Sequence, residues 1–324
     1  MMPHRQGLIA LGLVVIVAAF AAAAQGTYPT RPIKLVAPFP PGGGTDIFAR
    51  LVAARLSQDL GWNVVVENKP GAAGIIGVEA VTKSAADGYT LVLGQTSNLA
   101  ISPALSKLGY DPLKDLTPVA LVASTPLVLV ASPKSPFTTL PGLVAAAKAK
   151  PGAITIASPG NGTVGHLTGE MFMRAAGIQL LHVPYKGAAP ALTDVLGGQV
   201  DIYFATAQSV APHIKAGTVR ALGVTSMKRL AALPDVATIA ASGYPDFEAT
   251  SWYGVLVPAG TPEAIVARLG SEITRVLSND EVRASVASEG GEVLAGSREQ
   301  FAAYLASEHA KWSKAVKESG AKID

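Results

Sequence analysis

Four short segments of the chain hold residue types suited to gripping a small polar molecule. The first runs Pro38-Phe39-Pro40-Pro41-Gly42-Gly43-Gly44-Thr45-Asp46. Consecutive glycines leave backbone N–H groups bare and permit positive φ. A helical pattern follows at once, and the first turn of a helix carries unpaired N–H groups and a partial positive charge. Together these hold an anion without a basic side chain. No Gly-Lys-Ser/Thr follows, so this is not a nucleotide-phosphate loop. Asp46 in the first helical turn either complements the helix dipole or faces a ligand; Thr45 either caps the helix or offers its hydroxyl.

The second segment, Ser158-Pro159-Gly160-Asn161-Gly162-Thr163, precedes a helical pattern carrying His166. Gly160, Gly162 and Thr163 again offer backbone donors and a hydroxyl. His166 is either a hydrogen-bond donor to a carboxylate or a satisfied core histidine. The third is Pro184-Tyr185-Lys186-Gly187-Ala188. Lys186 brings a charge and Tyr185 an amphipathic wall; the alternative is an exposed lysine on an ordinary turn. Gln95-Thr96-Ser97-Asn98 forms a fourth, uncharged polar set.

The same residues argue weakly for catalysis. Ser158, His166 and Asp201 are the types of an acyl-transfer triad, yet no Gly-x-Ser-x-Gly elbow occurs. The chain has no Cys, so thiolate chemistry, disulfides and Cys-based metal sites are excluded. Its 5 His show no His-Glu-x-x-His spacing. No catalytic residue, metal or cofactor is expected.

Strand-like and helix-like patterns alternate around these segments. Ile33 to Ala37 leads into the first loop, and Ile47, Phe48, Leu51, Val52 and Leu56 recur at helical spacing after it. Val64–Val66 and Leu91–Leu93 read as strands. Ile154–Ile156, Leu180–Val183, Val200–Phe204 and Val219–Val224 repeat the arrangement in the second half. Strands alternating with helices predict an α/β fold with mixed, mostly parallel sheets. Thr261-Pro262 starts a C-terminal helical region, with capping boxes expected at Ser278/Glu281 and Ser297/Gln300. Two extended apolar runs, Thr125–Val130 and Trp252–Pro258, read as hinge strands between two lobes. That predicts one discontinuous lobe, residues 25–126 with 253–324, and a second over 127–252. Ligands are expected in the cleft at the carboxyl ends of the strands.

The N-terminus has Arg5, an uncharged run from Gly7, and a small-residue end at Ala22-Ala23-Ala24. Leu8 to Phe20, about 13 residues, is shorter than the roughly 20 a spanning helix needs. Residues 1–24 are therefore expected to be a cleaved secretory signal. The formal net charge of +3 comes from scattered Lys and Arg without a basic run, so no nucleic-acid partner is expected.

Five stretches carry a family resemblance: YPTRPIKLVAPFPPGGGTDIFAR, VVVENKPGAAGIIGVEAV, ADGYTLVLG, HVPYKGAAPALTDVLGGQVD and LPDVATIAASGYP. They resemble the Bug (TctC-like) extracytoplasmic solute receptors of tripartite tricarboxylate transporters. The resemblance implies a type II periplasmic-binding-protein fold, a periplasmic location, and membrane transporter subunits as partners. It also implies a small carboxylate ligand and no enzymatic activity; the chain is expected to be a monomer. Carried onto this chain, it puts one ligand pole at Gly43, Gly44, Thr45 and Asp46 facing Gly160, Thr163 and His166; Phe39, Ser97, Asn98, Ser158 and Gly187, in the same polar loops, are expected to contact the ligand as well. The far end of the ligand falls near Tyr185, Lys186 and Ala205. Many relatives carry an acid where this chain has Ala205, which argues against an amino-acid ligand and for a dicarboxylate or aromatic carboxylate. A ligand-presenting receptor for a sensor kinase, or a periplasmic hydrolase built on Ser158, are the alternatives.

Overall fold

A computed structural model describes residues 28–319. The signal-peptide expectation for residues 1–24 lies outside these. Among the described residues no helix is long and apolar enough to cross a membrane.

Ten strands make a curled mixed sheet: β1 (Ile33–Ala37), β2 (Val64–Asn68), β3 (Thr90–Gln95), β4 (Leu116–Ala131), β5 (Thr155–Ser158), β6 (Leu181–Pro184), β7 (Ile202–Thr206), β8 (Arg220–Val224), β9 (Thr250–Pro258) and β10 (Glu292–Gly296). The order is β2-β1-β3-β9-β4-β7-β5-β6, with β10 and β8 also paired to β4. The outer pairs β1–β2, β1–β3, β5–β6 and β5–β7 are parallel, as connections through helices require. The pairs made by β4 and β9 are antiparallel.

The 16-residue β4 belongs to both halves of the fold. Leu116–Pro126 pairs with β9, whereas Leu127–Ala131 pairs with β7 and β8. Pro126 stands where the partners change, and proline has no N–H to give a ladder. Thr225, fully buried, fastens this point: its hydroxyl oxygen accepts from the Leu127 N–H at 2.8 Å, and its O–H donates to the carbonyl of Ala249, just ahead of β9. β4 and the segment that leads into β9 are thus tied to one another.

Both faces of the sheet are covered, which explains why its strands are apolar throughout. Along β3, Leu91 and Leu93 pack under helices Gly44–Leu60 and Glu263–Leu277 with Phe48, Val52, Leu269 and Ile273, while Val92 points the other way. Along β7, Ile202 and Phe204 join one cluster and Tyr203 and Ala205 another, the period of two expected for a strand. The C-terminal helix Arg298–Ser319 buries Phe301, Leu305, Trp312 and Val316 in the cluster that also holds Leu127, Phe172 and Phe204, so it packs behind both halves. Ser297 and Gln300 form the expected reciprocal cap. The cap expected at Ser278 is made by Asn279 instead, which accepts the Glu281 N–H at 2.9 Å. Ser278 itself is drawn back to the Thr274 carbonyl.

Candidate functional site

The loops at the carboxyl ends of β1, β3, β5 and β7 converge. Gly43 precedes helix Gly44–Leu60, and Thr163 caps helix Val164–Ala176, its Oγ1 accepting the His166 N–H. Gly187 precedes helix Ala188–Gly197, and Thr206 precedes helix Ala207–Lys215. The amino ends of these four helices line one small inner chamber of about 50 Å³. At roughly 10–15 Å³ per water on this measure, it has room for about three to five waters, the bulk of one carboxylate. Gln95, Ser97, Tyr203, Ser251 and Tyr253 complete its polar wall, and no lining side chain is charged.

Its donors are available. The first intrahelical bond of Gly44–Leu60 is Ile47 N–H to the Gly43 carbonyl, so the N–H groups of Gly44 and Thr45 have no acceptor within the helix. In helix Val164–Ala176 the Val164 N–H goes to Ser97 Oγ at 3.0 Å, a contact between the two halves. The Gly165 N–H is left for a guest. Burial pushes the Tyr203 phenol up in pKa, and burial also lifts Tyr253 to about 12, so both stay protonated and able to donate. Such neutral donors and helix ends, fixed by buried surroundings, suit a carboxylate. Gly44 is glycine for lack of room: a Cβ there would overlap the Tyr253 hydroxyl and the Gln208 amide. Gly42 is glycine for its backbone, with φ +86°.

An outer chamber of about 740 Å³ continues past Phe39, Pro40 and Pro159, which border both spaces. Its walls include Gly160, Asn161, Tyr185, Lys186, Gly187 and the loop 70–75. Tyr185 is braced by its hydroxyl, which donates to Asp194 at 2.6 Å. In loop 70–75, Ala72 and Ala73 both adopt left-handed backbone angles (φ 47° and 53°), uncommon for residues with a Cβ.

The expected site residues divide three ways. Phe39, Gly43, Gly44, Thr45, Ser97 and Thr163 line the inner chamber. Phe39, Gly160, Tyr185, Lys186 and Gly187 line the outer one. Asp46, Asn98, Ser158, His166 and Ala205 line neither. Asp46 is a brace: its carboxylate accepts from the Gly42 N–H at 3.1 Å, from Asn68 at 2.9 Å and from Arg50 at 3.0 Å. Burial opposes its ionisation, but the bonds from Arg50, Asn68 and Gly42 outweigh this and hold its pKa below the usual aspartate value. Asn98 accepts the Gln95 N–H and shapes the loop after β3. His166 accepts the Gly162 N–H on Nδ1 and so holds the second loop from behind. Ala205 was expected near the far end of the ligand. The alternation of β7 sends its methyl into the core with Val128 and Ala157 instead.

Ser158 is also buried, 2.7 Å from His182 Nε2, and His182 stacks on His166 at 4.3 Å. Asp201 belongs to neither histidine: it accepts from the N–H and hydroxyl of Thr155. Ser158, His166 and Asp201 are therefore not joined as a triad. Among the described residues no group of three or more acids and histidines is placed to hold a metal ion. The residues that sequence reasoning missed are Tyr203, Thr206, Ser251 and Tyr253, which lie on strands or strand ends, and loop 70–75. Only that loop left a signal, Gly71 and Gly74 directly after a strand.

Comparisons with known proteins give the family and the fold. Residues 48–321 match the model of the tripartite tricarboxylate transporter family receptor, TctC. Protein BugT of Bordetella pertussis is 40% identical over 319 residues, 98% of each chain. Among solved structures, the periplasmic binding protein BugD superposes with a TM-score of 0.87 at 36% identity, covering 92% of this chain and 100% of its own. An R. palustris protein with adipate gives 0.88 at 36% identity (91% and 100% covered). MatC of Rhodopseudomonas palustris with bound malate gives 0.84 at 32% (89% and 100%). The fold is that of the periplasmic binding proteins of this type, and the chain belongs to the TctC family of tripartite tricarboxylate transporter receptors.

Proposed function

We propose that this chain is an exported periplasmic receptor that closes around a small non-amino carboxylate and delivers it to the membrane subunits of a tripartite tricarboxylate-type transporter. The observation that carries the reading is the inner chamber, where four helix amino ends meet with no charged side chain. An anion is satisfied there by backbone N–H groups and hydroxyls; a cation finds no counter-charge. Neither chamber is lined by Asp or Glu, so an α-ammonium group has no carboxylate partner in either. Adipate and malate in the related structures support the carboxylate class.

Binding proceeds by closure of two lobes, 25–126 with 253–324 against 127–252, about β4 and β9. The close contacts support this: Val164 N–H to Ser97 Oγ, and Pro40 against Gly187. Closing removes water from the chamber and strengthens each bond to the ligand. The test is a melting-temperature screen of the mature protein against carboxylates and amino acids, followed by calorimetry. A ligand specific for the folded state at 100 Kd adds about 2.7 kcal/mol and raises the melting temperature. Carboxylates are expected to do so and amino acids not; stabilisation by glutamate or aspartate alone refutes the reading.

A further inference from the structure

We propose that Gln208 is a positioning residue of the inner chamber: anchored by Thr125, its amide turns the hydroxyl proton of Tyr253 towards a bound anion. This rests on the carboxylate reading of that chamber. Thr125, Gln208 and Tyr253 are all buried, so their polar atoms have to satisfy one another. Thr125 Oγ1 lies 2.6 Å from Gln208 Oε1, and Gln208 Nε2 lies 3.4 Å from the Tyr253 hydroxyl. These distances fix which way the amide faces. The shorter one suits an O–H···O bond, whereas N–H···O bonds begin near about 2.7 Å. Thr125 therefore donates, the amide oxygen accepts, and the amide nitrogen is left to donate to Tyr253. A phenol that turns freely offers a proton or a lone pair alike. Here its oxygen is engaged from the protein side, and its proton is left for the chamber that Tyr253 lines. Gly44, whose N–H is unpaired within its helix, sits against both the Tyr253 hydroxyl and the Gln208 amide, so phenol and backbone donor meet at one point of the wall.

Gln95, on the wall of the same chamber, is oriented by the same rule. Its side-chain oxygen accepts the Ser97 backbone N–H at 3.1 Å and the Ser97 hydroxyl at 3.3 Å. A backbone N–H can only donate, so the amide nitrogen is the end that remains, and it has no acceptor among the described residues. Both glutamines spend their oxygens on the protein, which leaves donors for a guest. Gln208 differs in where it comes from. It belongs to the 127–252 segment, whereas Gly44, Thr125 and Tyr253 belong to the rest of the chain. On the two-lobe reading the Tyr253 proton is steered only when the lobes meet, so closure itself completes the donor set.

The experiment is calorimetry on the mature protein with hexanedioate, malate and benzoate, followed by variants with whichever of these the parent binds most tightly. Tyr253→Phe should weaken binding at least about tenfold, the scale of one hydrogen bond to a charged group. Gln208→Met, of similar length, leaves the phenol unsteered and should cost about threefold, the scale of a weak neutral hydrogen bond. Combined with Gln208→Met, Tyr253→Phe should cost no more than about threefold further by the same measure. Thr125→Val keeps the side-chain shape and lies outside the chamber, yet it should also weaken binding, and this loss should vanish in the Tyr253→Phe background. A purely structural role gives the same loss in both backgrounds, because uncoupled effects add. Circular dichroism verifies folding, and where Gln208→Met does not fold the Thr125→Val pair carries the test. Parent-like affinity in Tyr253→Phe, or additive losses in the double variants, overturns the positioning role while the carboxylate reading stands on the parent's binding. If the parent binds none of the three carboxylates, both fall.

Discussion

Replacing Gly44 by alanine adds one methyl at the point where the inner chamber is tightest. The new Cβ would overlap the Tyr253 hydroxyl and the Gln208 amide, neither of which is free to swing away. Tyr253 is buried on β9 beside Phe48, their ring centres 4.7 Å apart, and Gln208 accepts from Thr125 at 2.6 Å. Forcing a methylene into such packing costs about 1–3 kcal/mol. Displacing a donor to a bound carboxylate costs about 1.5–3 kcal/mol more. The first cost falls on folding stability; the second falls on binding and at its lower bound weakens it roughly 12-fold at about 1.4 kcal/mol per tenfold. The neighbouring glycine is the control. Gly43 has φ −92°, open to any residue, and its Cβ would sit 3.5 Å from Ala188, an ordinary contact. Gly43→Ala should bind within about threefold of the parent by the same arithmetic. Calorimetry with any carboxylate that binds the parent reads both variants, with melting curves to verify folding. Parent-like affinity in a folded Gly44→Ala protein refutes the assignment of the chamber.

Asp46→Ala should destabilise the protein by about 2 kcal/mol in urea unfolding, because it removes charge-assisted bonds from Gly42, Asn68 and Arg50 at a buried carboxylate. It should also weaken ligand binding through the loosened first loop, and Asp46→Asn should fall between the two. The depressed pKa of Asp46 adds stability that is present above about pH 4 and lost as the pH falls through the folded value. His182 acts in a higher window. Burial, with help from His166, lowers its pKa from 6.5 to about 4, so the unfolded chain takes up this proton first. Stability should therefore fall as the pH drops from 6.5 towards 4, by about 1 kcal/mol once solvent screening of this half-buried ring is allowed for. Melting temperatures across that range should show the slope in the parent and a flatter one in His182→Gln; equal slopes count against the assignment.

Much of the site was legible from local chemistry. The run Gly42-Gly43-Gly44-Thr45 and the run Gly160-Asn161-Gly162-Thr163 each put bare N–H groups at the start of a helix, and that depends only on neighbours in sequence. What remained open were the roles of single side chains. Asp46 reads equally as ligand contact or brace until Asn68, on β2, is seen beside it. His166 reads equally as donor or core residue until its Nδ1 is found on Gly162. The family resemblance puts Ala205 near a ligand's far end, whereas the pleat of β7 turns its methyl into the core.

The amino-acid sequence by itself determined the alternation of strands and helices, the glycine-rich turns, the two long apolar strands and the absence of cysteine chemistry, because each depends on composition or on periodicity within one element. Only the tertiary structure decided which polar groups share a space. Tyr253 on β9 reaches Gly44, Ser97 after β3 takes the Val164 N–H, and Tyr185 after β6 gives its hydroxyl to Asp194. These pairings join residues from separate elements, and burial of both sheet faces, a property of the whole chain, brings them together.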